Sequence, residues 1–432
     1  MGVLVGSLAG RSGSVGEVWL LEGGGAQSPP REGGSTPIRA AWIVLICTMM
    51  TIFDGFDEMA LPLAAPRLAG EWKMDAQTLG ILFGLSFAGM ALGSLLIAPL
   101  ADRFGRRPII IAGLLCIVLS MFLGSTAWHT TTLALSRLMT GLGSGALTPA
   151  LYASAAAFAS DKRRALVLGT ISTGLPIGAT VGGLIAIPLL EHFGWRSIFV
   201  TAGCLSCASL LSVWRFMIEA PDFATLPRSR ESLSQQQGRQ QDLGFLRRTI
   251  LISAVSFCIQ VSAFFVLQWM PKVLSDAGLA SRDAIAVAVI MNTGGVVGAL
   301  TFGFGARPVN IHRLTAVCMV FAGVLIALLP HLSHLLLWAA AFTCGFAMFA
   351  VGVGLFTLTT ISYPAQTRVT GLGISTGVGR LGAVLGPVAA GFLIAAGANR
   401  ATYFAALSLP ILLASAAVLY LRGWERHKWS LH

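Results

Sequence analysis

Charged residues are scarce in this sequence. Only 11% of the 432 residues are Asp, Glu, Lys or Arg, and the mean hydropathy is +0.78, whereas a soluble globular protein has about 25% charged residues. This scarcity excludes a soluble domain. The formal net charge of +11 does not indicate a nucleic-acid partner, because the lysines and arginines lie between apolar runs, as expected for the basic loops of a membrane protein.

Patterns that would indicate metal, redox or enzymatic chemistry are also lacking. The seven cysteines all lie in apolar runs, and the pair Cys204 and Cys207 has no second pair to complete a metal site. There is no HExxH zinc motif, and Gly143-Ser144-Gly145 lacks the sequence context of a nucleophile elbow. We therefore expect no cofactor, no metal and no enzymatic activity.

Long apolar runs fill most of the chain. About twelve of them are near the ~20 residues that a membrane-spanning helix needs, and the longest polar interval divides them into six and six. We therefore predict an all-α integral membrane protein with twelve transmembrane helices in two six-helix bundles. The runs lie at about 38–63, 77–100, 108–127, 131–159, 165–190, 196–217, 249–271, 283–305, 313–330, 333–361, 369–396 and 401–421.

The same pattern predicts the domain organisation. Most Lys and Arg residues lie in loops that would share one side of the membrane, which places both termini in the cytoplasm. Ile171-Ser172-Thr173-Gly174 of the fifth span recurs as Ile374-Ser375-Thr376-Gly377 of the eleventh, as expected for two related halves. The predicted parts are a disordered cytoplasmic tail at 1–37 (or a start codon assigned too early), bundles at 38–218 and 248–421, a cytoplasmic linker at 219–247 and a cytoplasmic tail at 422–432.

Three carboxylates lie in the second half of the first span, at Asp54, Asp57 and Glu58. Acids within a membrane span are costly and usually face a protein interior or a wet cavity. Asp54 and Asp57 are three residues apart, so they share a helix face, and two close carboxylates tend to hold one proton between them. We predict that both carry protons and that Arg137, within the fourth span, stabilises their ionised state.

Two segments resemble motifs of the major facilitator superfamily. The loop from Leu100 to Pro108 is similar to the loop between spans two and three of that family, although Ala98 stands where the family has Gly. The fifth span resembles the family's Gly/Pro packing motif. The predicted conformational lock comprises Asp102, Arg103, Gly105, Arg106 and Arg107, and the predicted packing and pivot residues are Gly174, Pro176, Gly178, Gly182 and Gly183.

A narrower resemblance is to the aromatic acid:proton symporter family, which includes the 4-hydroxybenzoate permeases. It rests on 54–57 (Asp-Gly-Phe-Asp), 193–197, 268–271 and 379–387, the last of which places Arg380 in the eleventh span. The resemblance implies proton-coupled import of a benzoate-type carboxylate across the bacterial inner membrane by alternating access. This chain departs from the family in the fourth span, where Ala150 stands in place of the usual Asn and alanines at 155–157 stand where the family commonly has a Glu. It also departs in the loop 303–308, which is reduced and has no acid.

The resemblance also suggests substrate contacts. An Arg fork binds a planar carboxylate in a bidentate manner, so Arg380 is the predicted anchor. The aromatic candidates for the substrate ring are Phe53, Phe56, Phe264, Phe265 and Trp269, and those for a ring hydroxyl are Asn292, Gln260 and Ser375. The expected partners are an aromatic acid, protons and the lipid bilayer, with no nucleic acid and a monomeric protein. Three alternatives stay open: a transporter of another organic anion, a drug exporter and a transport-dead receptor.

Overall fold

The computed structural model describes residues 37–158, 164–217, 243–305, 310–363 and 368–429. Within these ranges the chain is built from helices and their short connections. The predicted N-terminal tail, except for Pro37, and most of the predicted linker lie outside the described residues.

Six spans form the first half. The second span ends in a π-helical turn, and the fifth is a broken helix. The bounds are α1 Pro37–Trp72, α2 Ala76–Leu92 with its π-helical turn Gly93–Ile97, the short α3 Leu100–Phe104, α4 Arg106–Ser125, α5 Thr130–Phe158, α6 Arg164–Ser172 with α7 Gly174–Phe193, and α8 Arg196–Phe216.

Six further spans form the second half, which confirms the predicted fold class. The first of them begins five residues before the predicted bundle at 248, and the last continues through most of the predicted tail at 422–432. The bounds are α9 Leu243–Asp276, α10 Ser281–Gly305, α11 Ile311–Leu328, α12 His334–Ser362, α13 Arg368–Ala395 and α14 Arg400–Trp429.

Ten of these spans are long and apolar enough to cross a membrane, and α1 and α5 are the two that fall outside this set. The reason lies in their composition. Helix α1 carries the three acids, and α5 carries Arg137 and many Gly, Ser and Thr residues. Polar side chains of this kind occur in membrane helices that face the protein interior, so α1 and α5 are the helices on which a polar site is to be sought.

Glycines bring α1 and α7 into backbone contact. A Cβ atom on Gly178 would overlap the carbonyl oxygen of Ile52, and one on Gly55 would overlap that of Leu175. Small residues allow this close approach between membrane helices. Gly55 and Gly178 are therefore points of close approach between α1 and α7.

The two halves meet chiefly through α2 with α13 and α7 with α10. We call the side of the protein at which α1 begins the terminal face and the other side the far face. Gly80 packs against Pro387 and Gly391, and Gly183 against Val289. These contacts lie in the halves of the helices nearer to the far face, so the protein is packed closed on that side.

The loop predicted as a conformational lock binds the ends of neighbouring helices. Arg106 donates to the carbonyl of Ala153 near the end of α5 (3.1 Å), and Arg107 donates to that of Trp214 at the end of α8 (2.7 Å). Gly105, between α3 and α4, has φ +98°, a conformation that favours glycine. The side chain of Asp102 lies outside the described residues, and the exposed Arg103 contacts the Phe104 ring.

Candidate functional site

Asp54 and Asp57 are buried near the middle of α1, and each binds a serine from a different helix. Ser144 of α5 donates to Asp54 Oδ1 at 2.7 Å, and Ser206 of α8 donates to Asp57 Oδ2 at 2.7 Å. The side chains are 8% and 2% exposed, and no hydrogen bond joins them to each other within the described part of the chain. The two carboxyl groups are therefore directed toward different helices, and the sharing of one proton between them stays a prediction.

One carboxylate oxygen of Asp57 lacks a hydrogen-bond partner. Its Oδ1 atom is buried and has no hydrogen-bond partner, whereas Oδ2 accepts from Ser206. Buried polar atoms are nearly always hydrogen-bonded, and an exception at an acid within a membrane helix requires an explanation. A change of protonation or of conformation at Asp57 supplies one.

Arg137 is only 1% exposed, and it lies about two turns nearer to the far face than Ser144. Its guanidinium stacks on Phe199 at 4.8 Å from the ring centroid and donates to Ser136 Oγ at 3.2 Å. Among the described residues no ion pair joins Arg137 to Asp54 or Asp57, but its charge still acts on Asp57. The predicted contact with the first-span acids is thus indirect in this conformation.

Arg380 extends from α13 in the second half to α2 in the first. Its Nη1 atom donates to the carbonyl of Met90 at 2.9 Å and to Ser94 Oγ at 2.7 Å. Ser94 lies in the π-helical turn at the end of the second span, a feature that is frequent at functional sites. The side chain of Arg380 is half-buried, and its charge acts on Asp54 and Glu58.

The two arginines therefore act on different acids. Asp54 and Glu58 interact with Arg380 across the interface between the halves, whereas Asp57 interacts with Arg137 within the first half. The helix positions explain this division, because Asp54 turns toward α5 and Asp57 toward α8. Asp54 also acts on both Asp57 and Glu58, so a change of charge at Asp57 also acts on the acid that interacts with Arg380.

The other predicted substrate residues lie in different environments. Phe56 is 2% exposed and packs on Gly182, inside the first half. Trp269 is 1% exposed and donates its indole N–H to the carbonyl of Pro387 at 3.0 Å. Asn292 donates to the carbonyl of Ala288 in its own helix, so these three residues are engaged within the protein.

Gln260 lies in a different environment from these three residues, because it is at about the depth of Arg380. Its side chain packs against Gly379, the neighbour of Arg380 in α13, and against Gly382 one turn further along. It is half-buried. Gln260 and Arg380 are therefore predicted substrate residues that lie at a similar depth.

Sequence reasoning missed the serines that hold the acids and the arginine. The sequence pattern around Ser144 indicates no role for it beyond the rejected nucleophile elbow, and no motif singles out Ser206 or Ser94. A single serine in a membrane helix usually bonds to the carbonyl of its own preceding turn, and such residues are common in this chain. The useful signal for Ser144 was its place in the glycine-rich segment of the span that also carries Arg137.

Two bundles of six membrane helices, with acids and arginines buried at mid-depth, define a multi-pass transporter of small molecules. The chain belongs to the Major Facilitator Superfamily, whose family model matches residues 47–387. It is 27% identical to a gallate transporter of Pseudomonas putida, over 89% of this chain and 92% of that protein. It is 26% identical to the 4-hydroxybenzoate transporter PcaK of Pseudomonas aeruginosa, over 89% and 93%. A solved D-xylose-proton symporter has the same fold, with a TM-score of 0.72, 15% identity and coverage of 88% of this chain and 97% of that one.

Proposed function

We propose that this protein imports a small aromatic carboxylate of the benzoate or 4-hydroxybenzoate type together with protons, by alternating access. One observation carries the proposal. Arg380 of the second half reaches α2 of the first half, and its charge interacts with the buried Asp54 and the half-buried Glu58. A cation that joins both halves and an acid that can take up a proton are the two parts that a proton-coupled anion importer needs.

The carboxylate of the substrate binds Arg380 in this proposal. A guanidinium offers paired N–H donors that match a carboxylate, whereas its present partners are a backbone carbonyl and a hydroxyl. A substrate carboxylate is a stronger acceptor for a cation than either of them. Binding would therefore draw Arg380 away from Met90 and Ser94 and weaken one contact between the halves.

Protons bind at Asp57 and Asp54 in this proposal. A carboxylate only accepts hydrogen bonds, whereas the protonated acid also donates one. Proton binding therefore changes the bond between Asp57 and Ser206 and that between Asp54 and Ser144. Each of these bonds joins α1 to another helix, so each is a place where protonation alters helix contacts.

The names of the relatives support the substrate class. The two relatives described above are named for gallate and 4-hydroxybenzoate, both aromatic carboxylates. We further propose that the protein works as a monomer in the inner membrane, with both termini in the cytoplasm. Its two bundles are proposed to correspond to 38–218 and 248–421, joined by a cytoplasmic linker. Under that orientation the terminal face is cytoplasmic.

The deciding experiment is uptake into vesicles of a labelled panel, with and without an inward proton gradient. The panel contains benzoate, 4-hydroxybenzoate, protocatechuate, gentisate, a dicarboxylate and a sugar. We expect accumulation of at least one aromatic acid that collapses when a protonophore is added. Correctly inserted protein that transports only the dicarboxylate, or that expels rather than accumulates the aromatic acids, would contradict the proposal.

A further inference from the structure

Two aromatic pairs join the halves along the interface between α2 and α9. Phe83 meets Trp269 edge to face, with ring centroids 5.4 Å apart, and Phe87 meets Phe264 at 4.4 Å with an interplanar angle of 60°. Phe83 and Phe87 are one turn apart on α2, so the second pair lies deeper from the far face than the first. The pairs thus form two layers between the far face and the level of Arg380.

The inner pair lies one helical turn from Arg380 along two separate helices. On α2, Phe87 precedes Met90, whose carbonyl accepts from Arg380. On α9, Phe264 follows Gln260, which packs on Gly379 and Gly382 of α13, the helix that carries Arg380. One turn corresponds to ~5 Å of rise, which is comparable to the length of a benzoate ion, so a carboxylate held at Arg380 would place its ring at this layer.

The two layers differ in what they can offer a ligand. In the outer layer Trp269 is 1% exposed and its indole N–H donates to the carbonyl of Pro387. Its ring is therefore fully used in the packing of α9 against its neighbours. In the inner layer Phe87 is 2% exposed, but Phe264 is half-buried. Phe264 therefore retains ring surface that a substrate can contact.

We propose that Phe87 and Phe264 form the subsite that recognises the aromatic ring of the substrate, with Phe264 in direct contact. The inference rests on the proposed function and adds the residues that determine its ring specificity. Aromatic rings pack on one another edge to face or offset, with an advantage over contact area alone. A saturated ring of the same size lacks this advantage, so the subsite favours a planar aromatic acid over its cyclohexane analogue.

The test compares benzoate with cyclohexanecarboxylate as inhibitors of labelled 4-hydroxybenzoate uptake into vesicles that contain the full chain. The wild type should require a higher concentration of cyclohexanecarboxylate than of benzoate for half inhibition. Phe264→Leu and Phe87→Leu should lower this ratio about two- to tenfold, whereas Phe264→Tyr should retain it. If a Leu variant does not transport, the same ratio is measured by competition for labelled 4-hydroxybenzoate on the purified protein.

Phe265→Leu is the matched control, because Phe265 is the next residue on α9 and packs instead on Phe404, with centroids 4.9 Å apart. It should leave the ratio unchanged. An unchanged ratio in both Leu variants, an equal loss in Phe265→Leu, or a wild type that does not distinguish the two inhibitors would overturn the ring subsite while the proposed function stands. A wild type that binds and transports no aromatic acid would overturn both.

Discussion

Arg380 donates to Ser94 Oγ at 2.7 Å, and this bond links the two halves of the transporter at mid-depth. The Ser94 hydroxyl in turn lies 2.8 Å from the carbonyl of Met90 and 2.9 Å from that of Gly145. A hydroxyl has one proton, so it donates to one of these carbonyls at a time while it accepts from Arg380. Three helices, α2, α5 and α13, therefore meet at one serine.

Ser94→Ala should weaken the packing of the far face. It removes one of two Nη1 partners of a cation, and a hydrogen bond to a charged group contributes about 1.5–3 kcal/mol. We expect the populations to shift toward conformations in which the far face is open. Spin labels at the exposed Glu191 and Arg282, which lie on opposite sides of a crevice between α7 and α10, should report longer distances in a background without the native cysteines.

Ser212→Ala is the control for that measurement. Ser212 is half-buried on α8 and donates to the carbonyl of Ala208 in its own helix, so its removal should leave the distances unchanged. Equal distance distributions for Ser94→Ala and wild type would show that the Arg380–Ser94 bond does not stabilise the closed far face.

Asp57→Asn should abolish accumulation driven by a proton gradient. Asparagine keeps the size of the side chain but cannot exchange a proton, so the step that links proton and substrate is lost. Exchange of labelled for unlabelled 4-hydroxybenzoate across the membrane, which needs no net proton movement, should persist. Wild-type accumulation in this variant would remove Asp57 from the coupling mechanism.

Ser206→Ala provides a graded comparison with Asp57→Asn. It leaves the carboxyl in place but removes the hydrogen bond to Oδ2. We expect initial uptake rates to fall about ten- to a hundredfold, since a bond to a charged partner contributes roughly 1.5–3 kcal/mol, and accumulation to continue at a lower rate. Loss of exchange as well as accumulation would indicate that the serine is needed for folding or binding instead.

The sequence predicted the spans well and the partners of the buried charges poorly. Long apolar runs determine membrane helices because a bilayer leaves the backbone few other options, and acids within a span mark a site on their own. Which residue faces Asp54 depends on the rotation of α1 against α5. Several other small residues lie within one helical turn of Ser144, so the sequence alone does not identify the one that contacts Asp54. Sequence spacing therefore placed Asp54 and Asp57 on one face, but the packing of α5 and α8 directs them to different serines.

Gly178→Ala should destabilise the protein, although alanine is the better helix former. The new Cβ atom would overlap the carbonyl oxygen of Ile52 in α1, and a backbone atom cannot rotate away as a flexible side chain can. Overpacking of this kind costs about 1–3 kcal/mol. Thermal unfolding of the purified protein in detergent, followed by intrinsic fluorescence, should show a lower Tm.

Gly169→Ala is the matched control in α6. A Cβ atom there would meet nothing within 4 Å, and replacing an exposed helical Gly by Ala stabilises by roughly 0.5–1 kcal/mol. The two variants should therefore change Tm in opposite directions. A lower Tm for Gly169→Ala as well would mean that glycine is required in the fifth span for a reason other than close packing.

Arginines at the terminal face bind the ends of corresponding spans in the two halves. In the first half Arg106 donates to Ala153 of the fourth span. In the second half, whose own loop at 303–308 has no acid, Arg248 donates to the carbonyl of Ser362 at the end of the tenth span at 2.9 Å. The tenth span corresponds to the fourth in the other half, so Arg248 of α9 makes at the end of the tenth span the kind of contact that Arg106 makes near the end of the fourth.

Arg106→Ala and Arg248→Ala should therefore have similar effects. A cation at a helix C-terminus contributes about 0.3–1 kcal/mol at an exposed site, and more where it is partly buried, so each variant should lower Tm by a few degrees in the same unfolding assay. Arg103→Ala is the control, since Arg103 is exposed and contacts the ring of Phe104, and it should leave Tm nearly unchanged. A large effect of Arg106→Ala with none for Arg248→Ala would show that the lock is confined to the first half, and the two halves would then differ in how firmly their helix ends are held during transport.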